Sequence, residues 1–413
     1  MQEKAMMRGM AAERCTPLAA GPPDVERLVE AARSMVPRIR ACADEIERTR
    51  RLPLALVSEL AEAGIFQMLV PRAIGGSELD PLSFMEIVEI LSEADASVGW
   101  CAAIGSGTAF ATGFLRPDVG YELVGRDPTV VMGGVFGIPG GQATVVEGGY
   151  RVTGRWPFAS GCEHCHWLVG NSVIHDGETP RQDASGAPVT RIMIFPASEC
   201  TILDTWNVGG LRGSGSHDIT VSDVFVPEER SFTLAAASPY HHGPLYSSRF
   251  FLFAHAAHAL GVARAAIDAL GELASRKQLG RTSSLLRDRP MVHLQIAQAE
   301  ALVRSARAWT REIAREIWDH ACRAREITSE QRALARLAIT NAVVKSAEAV
   351  DLMYSAAGGS AVYTSNRLER SFRDIHTVTQ HAIVAPPSYE QVGEALVGSG
   401  QRGVSPLSGL RLF

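Results

Sequence analysis

The sequence predicts an α+β protein in three successive parts: an N-terminal α-helical domain, a middle β-barrel domain and a C-terminal α-helical bundle. Three observations carry this. Apolar residues recur at three- and four-residue intervals up to about position 115. Short β-prone runs broken by glycine take over between about 128 and 227, and a sustained helical period returns from about 247. The division that follows is a flexible leader over 1–23, a helical domain over 24–127, a β-barrel over 128–235 and a four-helix bundle within 236–413.

The leader ends in Ala-Ala-Gly-Pro-Pro and has no period, so structure is expected to begin near Asp24. Arg51-Leu52-Pro53 opens a helix with Leu56, Leu60 and Ala63 on one face, and Asp80-Pro81 opens another with Phe84, Ile87, Val88 and Leu91 in register. In the middle part, the run from Ala143 to Thr153 is two strands, with Gly148-Gly149 as the tight turn between them. Two long stripes mark the last part: Ile296, Ala299, Val303, Ala306, Thr310, Ile313 and Ile317, then Val343, Ala347, Val350 and Tyr354, halted by Gly358-Gly359. Their narrowness suggests helices that also pair with another subunit, and a homotetramer of two dimers is expected.

Composition excludes several classes. A formal charge of −5, without a basic block, argues against nucleic acid as a partner. No uninterrupted apolar run reaches the length of a bilayer span and the N-terminus has no signal-peptide pattern, so a cytoplasmic protein with no membrane partner is expected. Seven cysteines, an odd number spread over a long chain, read as reduced thiols. Cys162-Glu-His164-Cys165-His166 has the look of a metal cluster, but no second Cys-x-x-Cys exists and neighbouring strand residues alternate faces, so no metal site is expected. Gly133-Gly134 and Pro139-Gly140-Gly141 do not form the Gly-x-Gly-x-x-Gly of a nicotinamide site.

Motifs in each part add to the layout: the segment from Phe66 to Gly76, Tyr150-Arg-Val-Thr-Gly-Arg-Trp156-Pro-Phe158-Ala-Ser160-Gly161, Gly210-Leu-Arg-Gly-Ser-Gly-Ser216, Arg276-Lys-Gln-Leu-Gly280, Gly358-Gly359, and Glu369-Arg370-Ser-Phe-Arg373-Asp374. In this order they resemble the acyl-CoA dehydrogenase superfamily over about 30–385. Dehydrogenases of that superfamily with a C-terminal base follow an Arg-Asp with Tyr/Phe-Glu-Gly, whose glutamate removes a proton from an acyl thioester. Here the aromatic position is His381 and the glutamate position Ala382, which cannot accept a proton. With Trp156-Pro-Phe158-Ala-Ser160-Gly161 upstream, the stretch resembles instead the flavin monooxygenase branch, which includes hydroxyphenylacetate and steroid-phenol hydroxylases and dibenzothiophene monooxygenase. One departure stands out: some members carry a histidine late in the helix after Asp95-Ala-Ser97, where this chain reads Ala102-Ala-Ile-Gly-Ser106-Gly.

The resemblance implies an oxygenase component that takes reduced flavin (FADH2 or FMNH2) from a separate NAD(P)H:flavin reductase and, with O2 as co-substrate, hydroxylates a small aromatic substrate through a flavin C4a-hydroperoxide. Such an intermediate needs its flavin N5 held by a neutral hydrogen bond, and Ser160 is the candidate, unless it only caps its own turn. Trp156 and Phe158, two apart on a strand, would wall the flavin or fill the core. Gly161 closes the turn, Arg276 would pair with flavin phosphate or end its helix in solvent, and Gly358 and Gly359 would border the flavin. His381 is the candidate base, since an imidazole can take a phenol's proton near neutral pH. If 373–383 is helical, His376 lies on another face. Two alternatives remain: an acyl-CoA dehydrogenase with a relocated base, and a flavin-binding scaffold without activity.

Overall fold

The computed structural model describes residues 23–234, 239–278 and 284–397. The expected leader, apart from its last residue, and the Leu279-Gly280 end of the Arg276 motif lie outside them. Helix α1 (Pro23–Thr49) is followed by α2 (Leu54–Glu62), which buries Leu56, Val57, Leu60 and Ala61. Helix α3 (Pro81–Ala94) is capped by Asp80, whose carboxylate accepts the N–H groups of Leu82 and Ser83, and it buries Phe84, Ile87, Val88 and Leu91. Asp95 caps α4 (Ala96–Ala109) in the same way, through Ser97 and Val98. Almost every residue of α4 is buried, so it runs through the core rather than along the surface.

Eight strands form one sheet: β1 (Met132–Val146), β2 (Gly149–Ala159), β3 (Trp167–Asp176), β4 (Thr179–Pro180), β5 (Thr190–Pro196), β6 (Thr201–Leu203), β7 (His217–Pro227) and β8 (Ser231–Phe232). Their order is β6-β7-β2-β1-β3-β5-β8, with β4 on β3. Only β1 and β3 run parallel; the other pairs are antiparallel. The expected barrel does not close. Among the described residues, its edge strands β6 and β8 pair only inward, and at three and two residues they are too short to supply a closing ladder. The sheet nevertheless encloses a core of its own, with Val152, Trp156, Phe195 and Ile219 in it. The β1–β2 turn sits one residue earlier than expected: Val146 pairs with Gly149, Glu147-Gly148 forms the loop, and Gly148 takes φ +76°.

The C-terminal helices are α5 (Ala254–Arg276), α6 (Pro290–Cys322), α7 (Ser329–Ala357), α8 (Arg367–Val378) and α9 (Pro387–Leu396). Both sequence stripes face inward, with Ala299, Val303, Ala306, Thr310, Ile313 and Ile317 buried on α6, and Val343, Ala347 and Val350 on α7. Helix α5 is the pivot, packed against α3, α7 and α8. The stretch Phe250–Arg276 is long and apolar enough to cross a membrane, although Arg264 and Asp268 interrupt its apolar run. Its apolar window is 94% buried inside the protein, however, so it is the central core helix.

Candidate active site

Ser160 follows the last residue of β2, and Ala159 pairs with His217 on β7, which places Ser160 beside Ser216. Both serines are buried. Trp100, from α4, donates its indole N–H to Ser160 Oγ at 2.9 Å; Ser160 and Ser216 hydroxyls lie 2.8 Å apart, Ser216 and Ser214 2.7 Å, and Ser214 donates to the Leu211 carbonyl at 2.7 Å. The direction of this chain is fixed, because a hydroxyl has one hydrogen and a carbonyl can only accept. Ser214 spends its hydrogen on Leu211, so Ser216 donates to Ser214 and Ser160 to Ser216. Ser160 Oγ is left with one acceptor position. The far end is anchored too: Leu211 N–H donates to Asp374 Oδ1 of α8 at 2.6 Å.

Trp100 also stands against three imidazoles. Ring centroids of His255, His258 and His381 lie 5.6, 5.2 and 5.5 Å from the indole, each edge-on to it, and His255 and His381 are 4.7 Å apart. His255 Nδ1 bonds the Leu252 carbonyl at 3.0 Å and His258 Nε2 the Ala96 carbonyl at 2.8 Å. Ile383 N–H donates to His381 Nδ1 at 3.2 Å. Burial pulls His255 and His258 down to about 4. His381 also lies well below the ordinary imidazole value, through burial first and then the neighbouring His255 and Arg336. All three are neutral at pH 7. Arg336 is itself lowered to about 10 by burial, and its guanidinium donates to Ser388 and to the Ala382 carbonyl.

His381 is not helical. Helix α8 ends at Val378, and His381 sits in the turn beyond it, its N–H bonded to Val378 O; that turn swings the ring inward to Trp100. His376 stays on the helix, half-exposed and 2.8 Å from Asp351, away from this cluster. Trp156 and Phe158 do not share a face. The β2–β7 register slips between Trp156 and Ala159, and Phe158 takes φ +67°. Trp156 is fully buried within the sheet, its indole N–H donating to Asn171 O, whereas Phe158 is 61% exposed and edge-on to Trp206. Trp156 therefore fills the core and has no free surface for a ring to stack on. Gly161, at φ +71°, completes the turn after Ser160, where a side chain would collide with the His164 ring.

Arg276 lines a cavity of about 310 Å³ with Glu272, Ser360, Tyr363, Ser365, Asn366 and Arg367. Gly358 ends α7 at φ +57°, and among the described residues, chain neighbours aside, no atom lies within 4 Å of where a side chain on Gly358 or Gly359 would project. These residues form a second locality, separate from the Trp100 cluster.

Reading of the sequence missed Trp100, His255, His258 and the roles of Ser214 and Ser216. A signal existed for the histidines: His255-Ala-Ala-His258 puts two imidazoles three apart, on one face of an alanine-rich helix.

Residues 22–115 match the family description "Acyl-CoA dehydrogenase, N-terminal domain" and 253–386 match "Acyl-CoA dehydrogenase, C-terminal domain". Indole-3-acetate monooxygenase of Acinetobacter baumannii is 33% identical over 86% of this chain and 90% of its own length. The flavin-dependent monooxygenase oxygenase subunit HsaA of Mycobacterium tuberculosis is 30% identical over 88% of this chain and 93% of its own. Among solved structures, XiaF from Streptomyces sp., in complex with FADH2 and glycerol, superposes with a TM-score of 0.82 at 26% identity, covering 91% of this chain and 96% of its own.

Proposed function

The chain belongs to the acyl-CoA dehydrogenase superfamily, in its flavin-dependent monooxygenase branch, and from that premise we propose that it is the oxygenase component of a two-component aromatic hydroxylase. Reduced flavin, FADH2 or FMNH2, comes from a separate NAD(P)H:flavin reductase, and O2 is the co-substrate. When bound, the flavin supplies the electrons that let one atom of O2 reach the substrate.

The observation that carries this reading is Ser160. Its hydroxyl is buried, oriented by Trp100 and Ser216, and keeps one acceptor position for a flavin N–H without adding charge. The residues fit a flavin in a second respect: the rings against Trp100 are neutral imidazoles, and Ala382 stands where a dehydrogenase would hold its carboxylate. We assign flavin contact to Ser160, Gly161 and Phe158, and flavin phosphate contact to Arg276 beside Gly358 and Gly359. His381 faces the substrate.

We also read α5 to α8 as a four-helix bundle that pairs subunits into a homotetramer. Met291 and Leu294 at the start of α6, and Val362 and Tyr363 after α7, are exposed apolar side chains in this single chain and supply such a surface. Light scattering measures it. We place the enzyme in the cytoplasm, where reductant is at hand. The deciding experiment supplies chemically reduced FAD and ¹⁸O2 with indole-3-acetate or resorcinol. One ¹⁸O atom in the product is expected; bleaching of bound oxidised flavin by butyryl-CoA, with no oxygenated product, would establish the dehydrogenase instead.

A further inference from the structure

His255 and His381 are the closest pair in the imidazole cluster, and their hydrogen bonds settle where each keeps its hydrogen. A carbonyl only accepts, so the His255 nitrogen facing Leu252 O, Nδ1, carries the hydrogen and Nε2 carries the lone pair. A backbone N–H only donates, so the His381 nitrogen facing Ile383 N, Nδ1, carries the lone pair and Nε2 the hydrogen. Two adjacent neutral imidazoles thus have opposite tautomers. His255 Nε2 is buried without a hydrogen-bond partner, in a residue 6% exposed. A buried acceptor left unpaired costs free energy, and the fold tolerates it where a ligand completes the bond.

We propose that His255 Nε2 accepts a hydrogen bond from the ring N–H or O–H of an indole or phenol substrate, and that His381, through Nε2–H, is a hydrogen-bond donor rather than the base. The bond orients the ring and pushes electron density onto the carbon to be hydroxylated, while the donor on His381 faces the oxygen side. No proton need leave the substrate for this. His255 suits the part better than His258, whose N–H holds the Ala96 carbonyl at the start of α4, because the His381 ring lies 4.7 Å from His255. The assignment rests on the aromatic hydroxylase reading, but it makes claims that can fail separately.

The first test needs neither flavin nor substrate. Long-range ¹H–¹⁵N spectra of the imidazoles in the purified protein, assigned with His255→Asn and His381→Asn, are expected to show Nδ1–H at His255 and Nε2–H at His381. The same tautomer at both, or an imidazolium at His255 near neutral pH, overturns the proposal and leaves the hydroxylase reading intact. The second test titrates the FAD-loaded protein with indole-3-acetate and with 1-methylindole-3-acetate, which lacks the ring N–H. Wild type should bind the first about tenfold more tightly, the effect of one completed buried hydrogen bond, and His255→Phe should bind the two alike. His255→Asn, which keeps a donor for Leu252 and a carbonyl oxygen as acceptor, should retain part of the difference. Equal affinities in wild type overturn the proposal; failure of wild type to bind either compound overturns the aromatic-substrate reading beneath it.

Discussion

The sheet-side and helix-side neighbours of Trp100 are built differently. On the sheet side every hydroxyl is spent: Ser160, Ser216 and Ser214 pass their hydrogens in one direction to Leu211, and Asp374 fixes Leu211 in turn. On the helix side two imidazole nitrogens, His255 Nε2 and His258 Nδ1, are buried and unpaired. A row with every hydrogen spent holds its members in position and leaves only the one acceptor on Ser160, while an unsaturated cluster has more capacity left for a ligand. In our proposal the sheet side is the reference against which a flavin edge would register, and the helix side is where the substrate would bind.

The largest effect should come from removing the donor on the helix side. His381→Ala is expected to lower hydroxylation about 10²–10³-fold, the range for loss of one positioned hydrogen-bond donor, with flavin affinity nearly unchanged. Product formation under excess reduced flavin measures this. His376→Ala, whose ring pairs with Asp351 at the surface, is the control and should stay close to wild type. Equal losses in both variants would mean that α8 as a whole, rather than the imidazole, was disturbed.

Next comes the anchor of the sheet side. Asp374 is buried, and desolvation first, with Asp95 and Glu47 adding to it, raises its carboxyl to about 7 against the opposing Leu211 N–H and Arg373. The folded pKa lies above the unfolded one, so between about pH 4 and pH 7 the native state binds more protons and stability falls as pH rises. The contribution is whole below that window and gone above it. Asp374→Asn keeps an acceptor for Leu211 N–H but cannot ionise. Urea midpoints should drop from about pH 5 to about pH 8 in wild type and drop less in the variant. An unchanged slope would show that other groups dominate this range.

Ser160→Ala tests the reference side itself. Trp100 would lose its acceptor and Ser216 its donor, two neutral hydrogen bonds at about 0.5–1.5 kcal/mol each, so stability should fall by about 1–3 kcal/mol while the fold and flavin affinity are largely kept. The share of O2 released as hydrogen peroxide, read against hydroxylated product, should rise. Unchanged coupling would leave Ser160 as a turn residue.

What could be read in the sequence and what could not divide along the same physical line. Asp80, Asp95 and Pro53 marked helix starts because caps act locally, and the stripes on α6 and α7 were visible because burial repeats at the helical period. Ser160 and His381 stood out by their setting in motifs. The pairing of Ser160 with Ser216, 56 residues apart, depends on strand register, and the meeting of Trp100 with His255 depends on how α4 crosses α5. Neither leaves a trace in local spacing. The end of α8 at Val378 and the open sheet were hidden for a similar reason: a turn and a missing edge ladder are set by what packs against them.

Phe158 should give the smallest effect on stability, and it tests how far the rigid side extends. Alternation along β2 placed it with Trp156, yet the register slip turns it outward at φ +67°, a conformation that costs a non-glycine residue about 1–2 kcal/mol. At 61% exposure its ring contributes little burial in return. Phe158→Gly removes the strain but adds about 0.5–1 kcal/mol of backbone entropy to the unfolded chain, so stability should stay level or rise by up to about 1 kcal/mol. A strained aromatic held out of the core is the pattern expected of a ligand contact. Flavin affinity, followed by fluorescence, should therefore fall while the thermal midpoint holds. If stability falls instead and affinity holds, the Phe158 contact with Trp206 is structural, and the flavin-facing surface ends at Ser160.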